Sequence, residues 1–579
     1  MQSYKIFTYY DNLQEGYKEP TERVPGLIRK PKDVIRTIEY YTSSQYESGN
    51  RDELGREKPF YNVCNYRVTT AKTATDLDVK DIRFEPDSLK FSTQAMLINK
   101  ELYKWMKENN FSKTLNEMGY TRPKYGGVLV KKNKVDGELE IGLVDWTNVE
   151  FDPSDVVGGA IIETFWLQPS ELAANTEWDN VQEVLQAHNK ANRNKPAKVE
   201  VKEISGEFPE SMYPDNESNP DYIDNGKYAR MCFYIAVVGN KKYMLYYEYE
   251  KEIRYKYLPW EAVGKGLGRG IVEDGFEAQV WQNDAMISMK NAMELSGKVV
   301  LGTDSSKISG NVITGVDNGH IFQFEPGRTL TSLNLSASSL PQFQNIIDLW
   351  SQQYDRSAST FDSNTGEAPT AGTPYSQTAL LNQVANSPFE YRREEWGIFL
   401  NEILNEWILP EVKKRIMKEH TIVADYDDDE LDMIDEAIAN THVNNIMFDK
   451  MMEFDIEKPE TAPTPQDQID MTGAVRSSLS KHGKKREVEI PAKFLDVDGN
   501  LSCNITGELK NKAVILQSMD SIFKTVISTF NPNTGQYGAL QDPVLSKLFG
   551  QIVEMSGIPL SSTQFKPTQT VDQSAVQPV

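Results

Sequence analysis

Residues 273–296 read EDGFEAQVWQNDAMISMKNAMELS, 297–340 read GKVVLGTDSSKISGNVITGVDNGHIFQFEPGRTLTSLNLSASSL, and 341–358 read PQFQNIIDLWSQQYDRSA. In the first stretch Ala278, Trp281, Ala285, Met289 and Ala292 recur at helical spacing with Phe276, Val280 and Ile287 beside them, which predicts a long helix with two usable faces. At 1.5 Å per residue it would be a rod of roughly 36 Å. The middle stretch has no helical period and sets Gly302, Gly310, Gly315, Gly319 and Gly327 between β-prone runs at Asn311–Thr314 and His320–Phe324. It predicts a small β insert. Pro341, after the candidate caps Ser338 and Ser339, opens a second helix whose Phe343, Ile346, Ile347, Trp350 and Tyr354 share one stripe. The order is helix, β insert, helix.

Outward from that centre the text is mixed α+β. Residues 1–57 are polar, an arm followed by one helix at Lys32–Tyr41, started by Pro31. A helix at Phe91–Asn109 and strands at Gly127–Lys131 and Leu139–Val144 follow. Tyr213–Asp224 reads as a loop, and Arg230–Val238 and Tyr243–Tyr249 as a hairpin turning at Gly239-Asn240. Beyond Thr360–Thr373, a polar loop, Pro374 opens a helical pattern interrupted at Pro388 and running to Pro410. From His420 onward the text is less regular: a linker at Thr461–Asp467, a hairpin at Glu487–Ile505 turning at Asp498-Gly499, and helices at Lys512–Ser528 and Pro543–Met555. The tail 561–579 is too polar to pack a core and reads as flexible.

Composition narrows the function. The 579 residues carry 62 Lys and Arg against 85 Asp and Glu, a net charge of −23. The whole molecule repels a phosphate backbone, which argues against an ordinary duplex-binding protein. Cys64, Cys232 and Cys503 lie far apart with no CxxC spacing, and the five histidines are dispersed, so neither a disulfide scaffold nor a metal ribbon is expected. No secretory leader or membrane span is read, which suggests a soluble protein of a reducing cytoplasm.

Three local motifs invite chemistry. Gly264–Gly270 (GKGLGRG) resembles a phosphate loop, but Lys265 is followed by Gly266 rather than Ser or Thr, and Arg269 stands where the last Gly of a GxGxxG frame belongs. It reads instead as a flexible hinge into a helix. Asp425, Asp427, Asp429 and Glu436 mimic a calcium loop, yet position six is Glu430, not Gly; an acidic helix N-terminus fits better. Lys481–Arg486 is the densest basic run and reads as a solvated loop more readily than a phosphate contact. No catalytic triad or cofactor motif emerges, so no enzyme activity, cofactor or metal is expected.

Lys58-Pro-Phe-Tyr-Asn62, Ala74-Thr-Asp-Leu-Asp78, Lys124-Tyr-Gly-Gly127, Val144-Asp-Trp-Thr-Asn-Val-Glu-Phe-Asp152, Gly268-Arg-Gly-Ile-Val-Glu-Asp274 and Gly507-Glu-Leu-Lys-Asn511 resemble bacteriophage portal proteins, head-to-tail connectors of the short-tailed and crAss-like type. The resemblance touches most of the chain. It implies an α+β portal architecture: wing 58–272, stem helices 273–296 and 341–358, clip 297–340, tunnel loop 359–373, wing helices 374–485 and crown 486–560. It also implies a homo-oligomeric ring, usually dodecameric, at one capsid vertex of a virion, assembled in the host cytoplasm. Its partners would be the terminase large subunit, head-tail adaptor proteins, the major capsid protein and, transiently, double-stranded DNA in the channel, with no membrane. Asp362, Ser363, Asn364, Thr365, Gly366 and Glu367 would face DNA; Lys298, Lys307, Asp317, Phe322 and Arg328 would meet docking partners; Trp281, Met289, Phe343 and Trp350 would form stem contacts between subunits. An acidic bore would be nonstick, because every cation–phosphate contact adds affinity that sliding DNA must break.

Overall fold

The computed structural model describes residues 4–18, 30–42, 49–51, 55, 57–77, 79, 82–88, 91–135, 137–192, 197–296, 300–302, 331–333, 340–360, 375–418, 421–422, 428–452, 465–480, 486–487, 497, 499–503, 530–531 and 536–537. The chain runs through helices α1 (Lys5–Lys18), α2 (Pro31–Thr42) and α3 (Val63–Ala74), strand β1 (Ile82–Pro86), and helices α4 (Ser92–Glu108) and α5 (Phe111–Tyr125). Strands β2 (Gly127–Val135), β3 (Glu138–Leu143), β4 (Val149–Glu150) and β5 (Ile161–Leu167) lead to α6 (Pro169–Ala174), α7 (Val181–Asn192) and β6 (Val199–Pro209). A short α8 (Pro214–Ser218) precedes β7 (Tyr228–Val238), β8 (Lys241–Tyr249) and β9 (Tyr255–Pro259). Then come α9 (Ile271–Asp274), α10 (Phe276–Ser296), β10 (Val300–Gly302), β11 (Thr331–Leu333) and α11 (Leu340–Ala358). The C-terminal part holds α12 (Tyr375–Ile403), a π turn at Leu404–Ile408, α13 (Leu409–Lys418), β12 (Thr421–Ile422), α14 (Asp428–Met452) and α15 (Pro465–Ser480). Strands β13 (Arg486–Glu487), β14 (Gly499–Cys503), β15 (Phe530–Asn531) and β16 (Gln536–Tyr537) complete the described residues. The fold class is α+β.

Two compact units form. The first is built on an antiparallel five-stranded sheet, β4-β5-β6-β7-β8, and a three-stranded sheet, β3-β2-β9. Helix α1 covers one face of the larger sheet: Ile6 and Tyr10 pack on Ile162, Ile204, Phe208, Phe233 and Ile235. Full burial of a side chain such as Ile6 stabilises by about 2 kcal/mol. On the other face Leu172 and Val184 of α6 and α7 cover Val199, Val201, Ala236 and Leu245. The β7–β8 hairpin turns through Gly239-Asn240 as expected, pairing Val238 with Lys241. Gly239 sits at φ +61, the left-handed position that puts glycine first in such a turn.

In the second unit β1 pairs antiparallel with β14, Phe84 opposite Leu501. The other edge of β14 is held by two asparagines one helical turn apart: Asn405 accepts from Leu501 N at 2.7 Å and donates to Leu501 O at 2.9 Å, and Asn401 accepts from Cys503 N at 2.8 Å. Side-chain amides here mimic a neighbouring strand. Helices α14 and α15 are antiparallel neighbours, joined by Gln468 to Asn444 at 2.7 Å and Arg476 to Glu436 at 3.6 Å.

Several expectations give way. The N-terminal arm contains α1, whose Ile6, Tyr10, Leu13 and Tyr17 line up at helical spacing on the sheet. The loop Tyr213–Asp224 contains α8. Pro388 does not interrupt α12; the next residue, Phe389, is buried in a core with Trp260, Val272 and Ala358. The irregularity comes later, where Leu409 N–H bonds Leu404 O in a π turn just before Pro410. Proline lacks the N–H to continue an α ladder, and a wider turn relieves its clash with the preceding turn. The hairpin at Glu487–Ile505 is replaced by two long-range pairings, β13 with β12 and β14 with β1. After His420 the described residues hold α14 and α15, and Pro465–Asp467 belongs to α15 rather than to a linker. The candidate caps Ser338 and Ser339, the runs Asn311–Thr314 and His320–Phe324, residues 481–485, the helices at Lys512–Ser528 and Pro543–Met555, and the tail lie outside the described residues.

Gly268 and Gly270 form a packed crossing with Gly126 instead of a hinge, while Gly264 stands in open space. A Cβ on Gly126, at φ +89, would overlap the Gly268 carbonyl, and one on Gly270 would come within 2.6 Å of Gly126 N. Gly126→Ala should therefore cost more than about 2 kcal/mol in a denaturant titration, since it adds a clash to backbone strain. Gly239→Ala, with φ +61 but open space around it, should cost only about 1 kcal/mol.

Candidate functional site

Helices α10 and α11 pack side by side, and the strands that continue them pair antiparallel, Val300 with Leu333. The result is a helical hairpin with a β ribbon at its end. The helix read as Glu273–Ser296 is in fact two, α9 and α10, separated at Gly275. The ring of Tyr354 occupies the space where a Cβ at Gly275 would stand. Its hydroxyl donates to Ile271 O at 2.9 Å, and the Arg67 guanidinium lies 4.4 Å from its centroid.

Polar groups clamp the base of this hairpin. Arg67, with its side chain 5% exposed, pairs with Asp355 at 2.8 Å and donates to Ser351 Oγ at 2.9 Å. On α10, Gln279 accepts from Val63 N at 2.8 Å and Cys64 N at 3.1 Å and donates to Tyr61 O at 2.7 Å. Asn283, one turn on, accepts from Tyr61 N at 2.8 Å. Gln279, together with Asn62, which accepts from Asn65 N at 3.0 Å, satisfies the N-terminal donors of α3 that would otherwise be orphaned. Burial pushes the Cys64 thiol up to about 11, with the Tyr354 hydrogen bond and Arg67 pulling it back, so it is an inert core group. At the far end of α11, Thr360 N–H returns to Asp355 O at 2.9 Å and its hydroxyl bonds Asp355 Oδ1 at 3.1 Å.

On the face of α10 opposite the clamp, and on toward the ribbon, the hairpin exposes apolar side chains. Trp281 is 52% exposed and stacks on Trp350, centroids 6.1 Å apart and planes 7° from parallel. Met293, Ile346 and Leu349 are exposed as well, while Met289 and Phe343 are half-buried. The structure thus brings Trp281 and Trp350 together and leaves Met289 and Phe343 along the same pair of helices. Lys298, Lys307, Asp317, Phe322 and Arg328, and Asp362 through Glu367, lie outside the described residues. Arg67, Gln279, Asn283 and Asp355 escape a reading that looks for apolar stripes. The four-residue spacing of Gln279 and Asn283 within an apolar run was the available signal.

A cleft of about 740 Å³ opens elsewhere in the first unit beside Trp146 and Trp166. Its charges largely neutralise one another, Lys32 with Glu150 at 2.8 Å and Lys202 with Glu200 at 2.9 Å. Among the described residues no three His, Cys, Asp or Glu side chains converge as a metal site, and no helix is long and apolar enough to cross a membrane.

No family model matches the chain, and no curated protein matches it. Among solved structures it aligns with a chain of the neck of a native gene transfer agent particle computed with C12 symmetry, at 8% identity and a TM-score of 0.34, over 66% of this chain and 81% of the other. A chain of the native gene transfer agent virion aligns at 8% identity and the same TM-score of 0.34, over 67% and 82%. Likeness at that level decides neither fold nor activity.

Removing the clamp should free the hairpin without touching the sheet. Arg67→Met leaves Asp355 unpaired and should destabilise by about 3 kcal/mol. Hydrogen exchange should accelerate across α11 while β6–β8 stay protected. In the wild type, Cys64, Cys232 and Cys503, all buried, should resist iodoacetamide near neutral pH until denaturant is added.

Proposed function

We propose that the chain is a structural virion subunit of the portal type, assembling head-to-tail into a ring around a DNA channel at one capsid vertex. The observation that carries this reading is the α10–α11 hairpin: rigidly clamped at its base, it exposes Trp281, Met293, Ile346 and Leu349 on a pair of helices too thin to bury both faces within one chain. Apolar surface of that kind marks an interaction site, and a head-to-tail contact repeated by rotation closes a ring. The motifs resembling portal proteins support the same reading. Two of them gain a physical role, because Lys124–Gly127 and Gly268–Asp274 meet at the glycine crossing.

In this reading the wing is 58–272, the stem 273–296 and 341–358, the clip 297–340, the tunnel loop 359–373, the wing helices 374–485 and the crown 486–560. The clip, with Lys298, Lys307, Asp317, Phe322 and Arg328, would receive the terminase motor and later an adaptor, its rim charges steering docking. Asp362–Glu367 would line the channel, and the net charge of −23 would keep DNA from sticking. The chain would be assembled in the host cytoplasm against the major capsid protein and would need no cofactor.

Light scattering on the eluting chain should give a particle many times 65.7 kDa, with a central hole in electron micrographs. A stable monomer at all concentrations would end the proposal, and stacked tubes without a closed ring would point to a tail component. Trp281→Asp combined with Leu349→Asp should weaken assembly roughly 30-fold or more per interface while leaving the helical circular dichroism intact.

A further inference from the structure

The face of the five-stranded sheet turned away from α1 is not apolar throughout. Glu163 on β5 and Glu203 on β6 are register partners, and like charges directly opposite on neighbouring strands repel. They are 9% and 1% exposed. Lys131, reaching in from β2 and itself 3% exposed, bonds Glu163 at 3.1 Å and also bonds Glu203. Just past β8, the Glu250 side chain is 1% exposed and takes Arg254 Nε at 2.8 Å and Ser205 Oγ at 2.8 Å.

Arg254 is shared further: it pairs with Glu248 and stands 3.8 Å from Glu203. From β7, Cys232 Sγ lies 3.7 Å from Glu203 and Tyr234 faces the same carboxylate. From β9, Tyr255 donates to Glu163 at 3.4 Å. At the rim Arg230 is engaged by Glu207 at 3.1 Å. Three buried carboxylates thus face two cations, one of which also serves the half-exposed Glu248. Full ionisation would leave uncompensated negative charge where water is excluded, a state far less favourable than holding a proton.

We infer that this cluster retains one proton at neutral pH, chiefly on Glu250, and that losing it loosens the joint between the five-stranded sheet and strands β2 and β9. Burial pushes the Glu250 carboxyl up to about 7, the Ser205 hydrogen bond opposing and the Glu203 charge adding to the rise, and the Arg254 ion pair at 2.8 Å also works against it. Burial raises Glu163 too, against the pull of Lys131. The thiol of Cys232 and the phenols of Tyr234 and Tyr255 are also raised by burial, so they stay neutral. In such a coupled set the proton belongs to the cluster. An ordinary glutamate ionises near 4.5, and this one holds its proton to about 7. Between those values the folded chain binds more protons than the unfolded one, so stability falls as pH rises through the window and levels off above it.

Thermal unfolding of the full chain tests this at fixed concentration and ionic strength. From about pH 5 to pH 8 the wild-type midpoint should drop by roughly 3–6 °C and flatten above pH 7. Glu250→Gln, which imitates the protonated acid, should lose most of that slope and exceed the wild type at the alkaline end; Glu207→Gln at the rim should keep the slope. A Glu250→Gln curve parallel to the wild type overturns the proposal. Should that variant not fold, infrared difference spectra of the wild type decide: a carboxylic-acid carbonyl band must titrate away near neutral pH, and its absence overturns the proposal.

Discussion

Backbone runs directly against backbone where Gly126 meets Gly268 and Gly270, and nothing larger than hydrogen fits between them. Much of the first unit follows from that crossing. Trp260 N–H bonds Gly126 O at 2.8 Å, which fixes the end of β9 against the start of β2. Gly270 is the N-cap of α9, so the crossing also sets where that helix begins. Five residues after Gly270, Gly275 yields its side-chain space to Tyr354, and α10 departs from there. The direction of the exposed hairpin is therefore set by two contacts that depend on glycine having no side chain.

The hairpin divides its chemistry by face. Hydrophobic contacts are non-directional, so apolar packing alone would let two helices slide and rotate. At the base the burden falls on Gln279, Asn283, Arg67 and Asp355, whose hydrogen bonds and ion pair are lost in any other register and would leave buried groups unsatisfied. At the same level but on the opposite face, Trp281 stacks on the half-buried Trp350, where a large apolar area without strict geometry suits contact with another surface. Rigid anchoring on one face lowers the ordering cost of any contact made on the other.

Features coded locally were legible in the sequence. Pro31 and Pro341 stand at helix starts, Gly239-Asn240 turns the hairpin, and the helix–strand pair–helix order around residues 273–358 is there. What escaped depends on partners distant in sequence. Nothing near Gly499–Cys503 names β1 as its mate, and a two-residue turn signal at Asp498-Gly499 was a reasonable but local reading. Arg67 carries no local signal of burial, yet it lies on the buried face of α3 with Val63, Cys64, Val68 and Ala71. The pattern Ile6, Tyr10, Leu13, Tyr17 was visible, but the polar composition around it obscured a helix. In the candidate site, Trp281 and Trp350 were legible as apolar, whereas the groups that aim them were not.

The acidic composition acts differently inside and outside. At the surface, like charges separated by more than about 10 Å are screened by salt, and an excess of carboxylates mainly favours solubility. Inside the first unit no such screening operates, and Glu163 and Glu203 would force β5 and β6 apart if left alone. Lys131 prevents this only by coming from the other sheet, so the charge that would split one sheet is what fastens it to the second. An apolar residue at each of these positions would pack with less specificity of register, because a shift by one residue would leave buried charges facing no partner. The cluster thus works as a positional key between two sheets. Its charge balance, with carboxylates in excess, makes that key responsive to protons.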